Sequence, residues 1–149
     1  MNLSDFKFSE NVSSTNDIYI HLIKCSDLFK PSLDSYIDIK QYSIKIRDHA
    51  DTIECWKNDM LIGLVAIYLN DIKYIEGYVT NVSVVKEYQN LGISSNLLLT
   101  SIEKAKKNKF RRLNLEVFIN NIAAINLYKK YSFRIKKVNE DKLVMTKEL

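Results

Sequence analysis

A glycine stands where a β-rich run gives way to helical spacing, in Val82-Ser83-Val84-Val85-Lys86-Glu87-Tyr88-Gln89-Asn90-Leu91-Gly92-Ile93-Ser94. A strand, a turn and a helix start in that order offer an anion several free backbone N–H groups and the positive end of a helix dipole. A plain structural turn fits the same spacing. Further on, Asn121 precedes Ile122-Ala123-Ala124 and suits the N-cap of a helix. Tyr128 follows two helical turns later on the same face, with its side chain leaning back toward the N-terminus. Its phenol is protonated at neutral pH, which suits a proton donor, although a packed core aromatic fits as well. Two carboxylates are candidate bases. Glu116 alternates with Leu113, Leu115 and Val117 and lies beside Asn114, so it places a charge in an element that reads as buried. Glu76, followed on its strand face by Tyr78 and Thr80, is the rival.

Residues that would signal other chemistry are scattered. Cys25 and Cys55 have neither disulfide nor zinc spacing and read as buried thiols, and His21 and His49 stand apart from them and from each other. No metal is expected, and neither histidine acquires a role.

Two stretches together resemble the GNAT superfamily of acetyl-CoA-dependent N-acetyltransferases. Gln89-Asn90-Leu91-Gly92-Ile93-Ser94 is similar to its Gln/Arg-x-x-Gly-x-Gly/Ala turn between a strand and a helix, with Ser94 in place of the last small residue. Leu113-Asn114-Leu115-Glu116-Val117 and Asn121-Ile122-Ala123-Ala124-Ile125-Asn126-Leu127-Tyr128 resemble its later L-x-V and N-x-x-A-x-x-L-Y patterns. Ser132 replaces the usual glycine before Phe133, so the last helix is expected to end without a left-handed residue. The likeness covers roughly residues 60 to 149 and is nearest, in its C-terminal part, to ribosomal-protein N-terminal acetyltransferases.

This resemblance implies that backbone N–H groups around Gln89 to Ser95, including those of Asn90, Gly92, Ile93 and Ser94, bind the pyrophosphate of acetyl-CoA. It implies that the strand at Val82 to Val84 pairs with the pantetheine amides and that Asn121 touches the same arm. An N–H near Val84 or Val85 would stabilise the oxyanion, and Tyr128 would protonate the CoA thiolate. Glu116, twelve residues before Tyr128, is the preferred base, with Glu76 second. A base is needed because an alkyl amine of pKa near 10.4 is only about 0.04% neutral at pH 7, a cost of about 4.6 kcal/mol.

The elements that must position these groups follow from periodicity. One domain, residues 1–149, is expected, with no repeat or Pro/Gly-rich linker dividing it. The pattern predicts a strand at Phe6 to Glu10, a helix capped by Ser14 or Thr15, a helix from Leu33 to Ile46, and strands at Thr52 to Trp56 and Leu61 to Leu69. It continues with a strand in Tyr74 to Val85, a helix from Ile93 to Asn108, a strand at Leu113 to Ile119 and a helix at Asn121 to Tyr131. Strands at Phe133 to Val138 and Leu143 to Thr146 close the chain. The fold class is therefore α/β (α+β): the GNAT fold, a mixed sheet of about seven strands with helices on both faces.

Residues 1–100 hold 9 Lys/Arg against 13 Asp/Glu, whereas residues 101–149 hold 13 against 5, so an anion suits the second part and a cation the first. Without a recognised motif the basic part points to no nucleic acid. The longest apolar run, Met60 to Leu69, falls short of a membrane span, and Met1 to Asp5 lacks the features of a leader, so a cytoplasmic protein is expected. The resemblance implies an acceptor pocket from the first helices, the strand pair and the closing strands, where Tyr19, Asp34, Tyr36, Asp38, Tyr42, Tyr68, Asp71 and Tyr74 lie. The expected acceptor is a small-molecule amine, with a protein N-terminus and a non-catalytic acyl-CoA-binding module as alternatives. An exposed closing strand would make a homodimer easy.

Overall fold

The computed structural model describes residues 5–149. Met1 to Ser4, read above for a leader, lie outside the described residues. Seven strands and four helices run β1 (Lys7–Glu10), α1 (Thr15–Cys25), α2 (Ile39–His49), β2 (Asp51–Lys57), β3 (Met60–Asp71), β4 (Glu76–Val84), α3 (Ile93–Lys107), β5 (Arg112–Phe118), α4 (Ile122–Lys130), β6 (Arg134–Asn139) and β7 (Lys142–Glu148). One sheet carries them in the order β1-β2-β3-β4-β5-β7-β6. Every pairing is antiparallel except β4 with β5. The expected mixed sheet and its element order are observed. Among the described residues no helix is long and apolar enough to cross a membrane, and no three or more His, Cys, Asp or Glu gather as a metal site would need.

Local chemistry explains the ends of the elements. Ser14 caps α1 in a reciprocal box with Asp17. Asn58 and Asp59, at φ 49° and 66°, form the β2–β3 hairpin turn, which requires both central residues to be left-handed. The helix predicted from Leu33 begins late. Leu33–Ser35 is a single 3-10 turn, and α2 starts only after Asp38, whose carboxylate accepts from Gln41 N at 3.1 Å.

Apolar residues divide between the two faces. Ile18 and Leu22 of α1, Ile39 and Ile46 of α2, and Leu61, Leu64 and Ala66 of β3 form one cluster. Val65 and Ile67 of β3, with Ile93, Leu97, Leu98 and Ile102 of α3, Leu113, Leu115 and Val117 of β5, and Ile125 and Tyr128 of α4, form the other. Both free cysteines are buried. β6 is an edge strand, exposed along its whole length.

Two buried polar groups fix α1 on the sheet. Glu54 of β2 accepts from Ser9 Oγ, Val12 N, Ser13 N, Ser13 Oγ and Thr52 Oγ1, joining β1 and the segment that leads into α1. Burial alone would raise its pKa, but these donors hold it below the usual carboxylate value. His21, which the sequence left without a role, lies on the buried stripe of α1 with its Nδ1 3.0 Å from Leu61 O and its Nε2 2.8 Å from Ser83 Oγ. A carbonyl only accepts, so Nδ1 carries the proton and a neutral ring bridges α1 to β3 and β4.

Burial lowers the His21 pKa to about 4. A depressed histidine pKa means that the unfolded chain binds the proton first. Stability should therefore fall as pH drops from about 6.5 to about 4, by about 3 kcal/mol in all. Urea unfolding across this window should show that slope, and His21→Gln, though less stable, should be flatter there. Parallel profiles for the two proteins would refute the assignment.

Candidate active site

β4 and β5 pair for only three residues, Glu76 with Arg112, Gly77 with Leu113 and Tyr78 with Asn114. Close approach is possible there because Gly77 has no side chain. A Cβ at that position would lie 2.6 Å from Leu113 Cδ2 and 2.8 Å from Leu69 Cδ2. Beyond Tyr78 the strands part. The β3–β4 register slips between Ala66 and Ile67, whose partners are Asn81 and Val79, so Thr80 is an extra residue. A bulge of this kind bends and twists its strand. Tyr42 of α2 holds the bulge, its hydroxyl 2.7 Å from Thr80 O and 2.8 Å from Thr80 Oγ1.

The parted end of β4 has backbone groups to offer. Val85 N donates to Ile62 O at 2.9 Å. Antiparallel alternation then turns Ser83 toward β3 and leaves the N–H and C=O of Val82 and Val84 pointing into the opening. Val85 is thereby removed as an oxyanion donor, and Val84 is left. The Val84 carbonyl takes a hydrogen bond from Gln89 Nε2 at 3.2 Å, which folds the following turn against the strand end.

That turn is left-handed at Asn90, φ 64°, and at Gly92, φ 82°. Gly92 is the N-cap of α3 and has no side chain to bond the first helical amides. The first amide to find an intrahelical acceptor is that of Asn96, which donates to Gly92 O at 3.0 Å. Ile93, Ser94 and Ser95 thus present their N–H groups outward at the positive end of a 15-residue helix. Gln89 N is already bonded to Lys86 O at 3.2 Å, so the run of free N–H groups is shorter than expected and starts after it.

α4 forms the opposite wall. Asn121 Oδ1 accepts from Ala124 N at 3.2 Å, capping the helix. At the other end Ser132 is itself left-handed, at φ 70°, which corrects the expectation that this helix would lack such a residue. Phe133 N donates to Tyr128 O and Ser132 N to Lys129 O, both at 3.0 Å, and the Phe133 ring meets Tyr128 edge-on at 5.9 Å. The helix end therefore locks Tyr128 in place. Tyr128 is 8% exposed, and burial, with the nearby Tyr78 hydroxyl, pushes its pKa well above the usual phenol value.

Two cavities meet through the gap. One, of about 530 Å³, is lined by Val82, Val84, Gln89, Asn90, Ile93, Ser94 and Asn121, with Cys25 and Phe29 from the α1 side. The second, of about 220 Å³, is lined by Tyr36, Tyr42, Tyr78, Asn81, Glu116, Phe118 and Lys142. Phe29, Val82, Asn121, Ala124 and Tyr128 border both. The first cavity runs along the parted end of β4 from the start of α3 to Tyr128.

Residues 16–133 match the acetyltransferase (GNAT) family. The chain belongs to that family. The uncharacterized N-acetyltransferase YvbK of Bacillus subtilis is 26% identical over 127 residues, 85% of this chain and 74% of that one. The putative [ribosomal protein bS18]-alanine N-acetyltransferase of the same organism is 32% identical over 78 residues, 52% of this chain and 50% of that one. The PaiA N-acetyltransferase of Thermoplasma acidophilum, solved with coenzyme A, shares the fold at TM-score 0.75 and 16% identity, over 96% of this chain and 99% of that one. As a GNAT enzyme the protein is an acetyl-CoA-dependent N-acetyltransferase.

Within this GNAT site the expected residues divide. Val82, Val84, Gln89, Asn90, Ile93, Ser94, Asn121 and Tyr128 line the larger cavity, whereas Gly92 and Ser95 shape the turn without lining it. Glu116 borders the smaller cavity but is exposed rather than buried, because β5 has left β4 by that point. Glu76 lies at the paired end of β4, 2.8 Å from Arg112 Nη1, and lines neither cavity. Of the aromatic and acidic residues named for the acceptor, Tyr36 and Tyr42 line the smaller cavity. Asp38 caps α2, Asp34 accepts from Ser32 Oγ, and Asp71 accepts from Tyr74 N. Phe29, Phe118 and Lys142 were missed. Phe118 and Lys142 are brought to the cavity by β5–β7 pairing, which local spacing does not reveal.

Gly92→Ala meets no atom within 4 Å, so its effect is confined to a left-handed backbone that alanine disfavours by roughly 1–2 kcal/mol. Calorimetry should show CoA binding about tenfold weaker. Unchanged affinity would mean that the turn does not carry the diphosphate.

Proposed function

We propose that this enzyme acetylates the primary amine of a small molecule by direct attack within a ternary complex. The observation that supports this reading is the meeting of two cavities at Tyr128, a larger one along β4 and a smaller one of about 220 Å³ on which the acceptor is placed. The acceptor cavity, about 220 Å³, lies below the usual range for drug-sized ligands. Tyr36 from the α1–α2 connection touches Phe118 edge-on at 5.3 Å, and that contact bridges the cavity where a peptide would need an open groove. Likeness to the bS18-alanine enzyme supports a protein N-terminus as the second reading.

The N–H and C=O of Val82 would hold the pantetheine arm, and the N–H groups of Ile93, Ser94 and Ser95 the diphosphate. Glu116 accepts the proton that an ammonium must lose, directly or through a water. The Val84 N–H meets the negative charge that develops on the thioester oxygen during attack. Tyr128 donates its proton to the departing sulfur. Its raised pKa keeps the phenol protonated until a thiolate forms beside it. Cys25 lines the larger cavity, but burial raises its thiol pKa to about 12, so it is protonated and offers no nucleophile for a covalent path.

Tyr128→Phe should lower kcat by about 100-fold, within the range of general acid catalysis, and leave acetyl-CoA affinity unchanged. Thiol release measured over amines, aminoglycosides and peptides is the direct test. A kcat unaltered in Tyr128→Phe overturns the acid, exclusive use of peptides overturns the small-molecule acceptor, and slow hydrolysis that no amine accelerates leaves a non-catalytic acyl-CoA module.

A further inference from the structure

Glu116 and Lys142 are the only charged side chains bordering the acceptor cavity among the described residues. They stand side by side, with Lys142 Nζ 3.9 Å from Glu116 Oε2 and 5.0 Å from the centre of the Phe118 ring. The sheet fixes this arrangement. Phe118 pairs with Lys142 and Glu116 with Val144 in the β5–β7 register, so Glu116, Phe118 and Lys142 share one face. A tight turn through Glu140, φ 58°, and Asp141 makes Lys142 the first residue of β7, at the lip of the cavity.

The separation of 3.9 Å is longer than a charge-assisted hydrogen bond. Each group is thus attracted to the other while keeping its hydrogen-bonding capacity: three N–H donors on Lys142 and the acceptor positions of Glu116. An acceptor with positive charge alone meets a favourable carboxylate beside an unfavourable ammonium. A molecule with an ammonium and a carboxylate on one carbon satisfies both. Among the other walls, Leu33, Tyr36, Tyr78 and Phe118 offer apolar and aromatic surface for a side chain, beside the polar Thr80 and Asn81.

Resting on the small-molecule reading above, we propose that the acceptor is a free α-amino acid, its ammonium on Glu116 and its carboxylate on Lys142, which makes Lys142 a specificity-determining residue. A peptide N-terminus lacks the carboxylate at that distance, and a polyamine brings only the charge that Lys142 opposes. The reaction balances without a further reagent. One ammonium proton passes to Glu116, the nitrogen lone pair forms the bond to the acetyl carbon, and the carbon–sulfur pair leaves on sulfur. Tyr128 gives that sulfur a proton and is reprotonated by the second proton lost from nitrogen. The proton on Glu116 then goes to solvent.

Initial rates of thiol release should be compared for L-phenylalanine, L-leucine and L-methionine, for their C-terminal amides, and for spermidine. Wild-type enzyme should use the amino acids with kcat/KM at least tenfold above the amides and spermidine. Lys142→Met should lose that preference, with its acetyl-CoA affinity by calorimetry unchanged, and Lys142→Arg should restore it. Equal use of acids and amides, better use of spermidine, or an acid preference that persists in Lys142→Met would overturn the inference while leaving a small-amine acetyltransferase standing. Acetyl-CoA binding with no acceleration by any of these compounds or by the wider amine panel would overturn the reading beneath it.

Discussion

The parting of β4 from β5 is the constraint on which the site depends. Two parallel strands that remained paired would bury their backbone groups in each other and leave nowhere for an extended ligand. Here the pairing stops after Tyr78, just before the Thr80 bulge, and the donors and acceptors of Val82 and Val84 are left facing the opening. An unpaired parallel edge inside a sheet is costly unless water or a ligand satisfies it. The bulge held by Tyr42 and the close packing at Gly77 fix the closed end of the split.

From that split the other parts take their positions. α3 begins at the end of β4, so its uncapped amides lie at one end of the opening, and α4 follows β5, so Tyr128 comes to the other wall. Both cavities border the gap, and Phe29, Val82 and Tyr128 line each of them. In the proposed reaction the acyl donor and the amine would occupy the two cavities with Tyr128 between them. Buried polar anchors hold the frame. Glu54 gathers the segment before α1, and His21 ties α1 to both β3 and β4.

Some of this was legible in the residues. The helix from Ile93, the strand before it and the turn at Gly92 were predicted within a residue or two, since amphipathic periodicity and turn chemistry are local. Asn121 was readable as a cap for the same reason. Other features misled. Ser132 was expected to remove the left-handed helix end, yet the Schellman bonds and the Phe133 contact hold a serine there. Glu116 read as buried because alternation shows which face a residue takes, not whether another layer covers that face. Asp34, Asp38 and Asp71 read as acceptor-binding acids, whereas their carboxylates accept from nearby turn and helix-start groups.

The sequence by itself determined the element order, the glycine turn before α3 and the family, because each rests on spacing within a few residues or on a contiguous motif. Only the tertiary structure decided which carboxylate borders the smaller cavity, that His21 is a buried bridge, and that Lys142 stands beside Glu116. Those facts depend on strand register and on where two strands separate, and residues far apart in the chain meet only after the sheet has assembled.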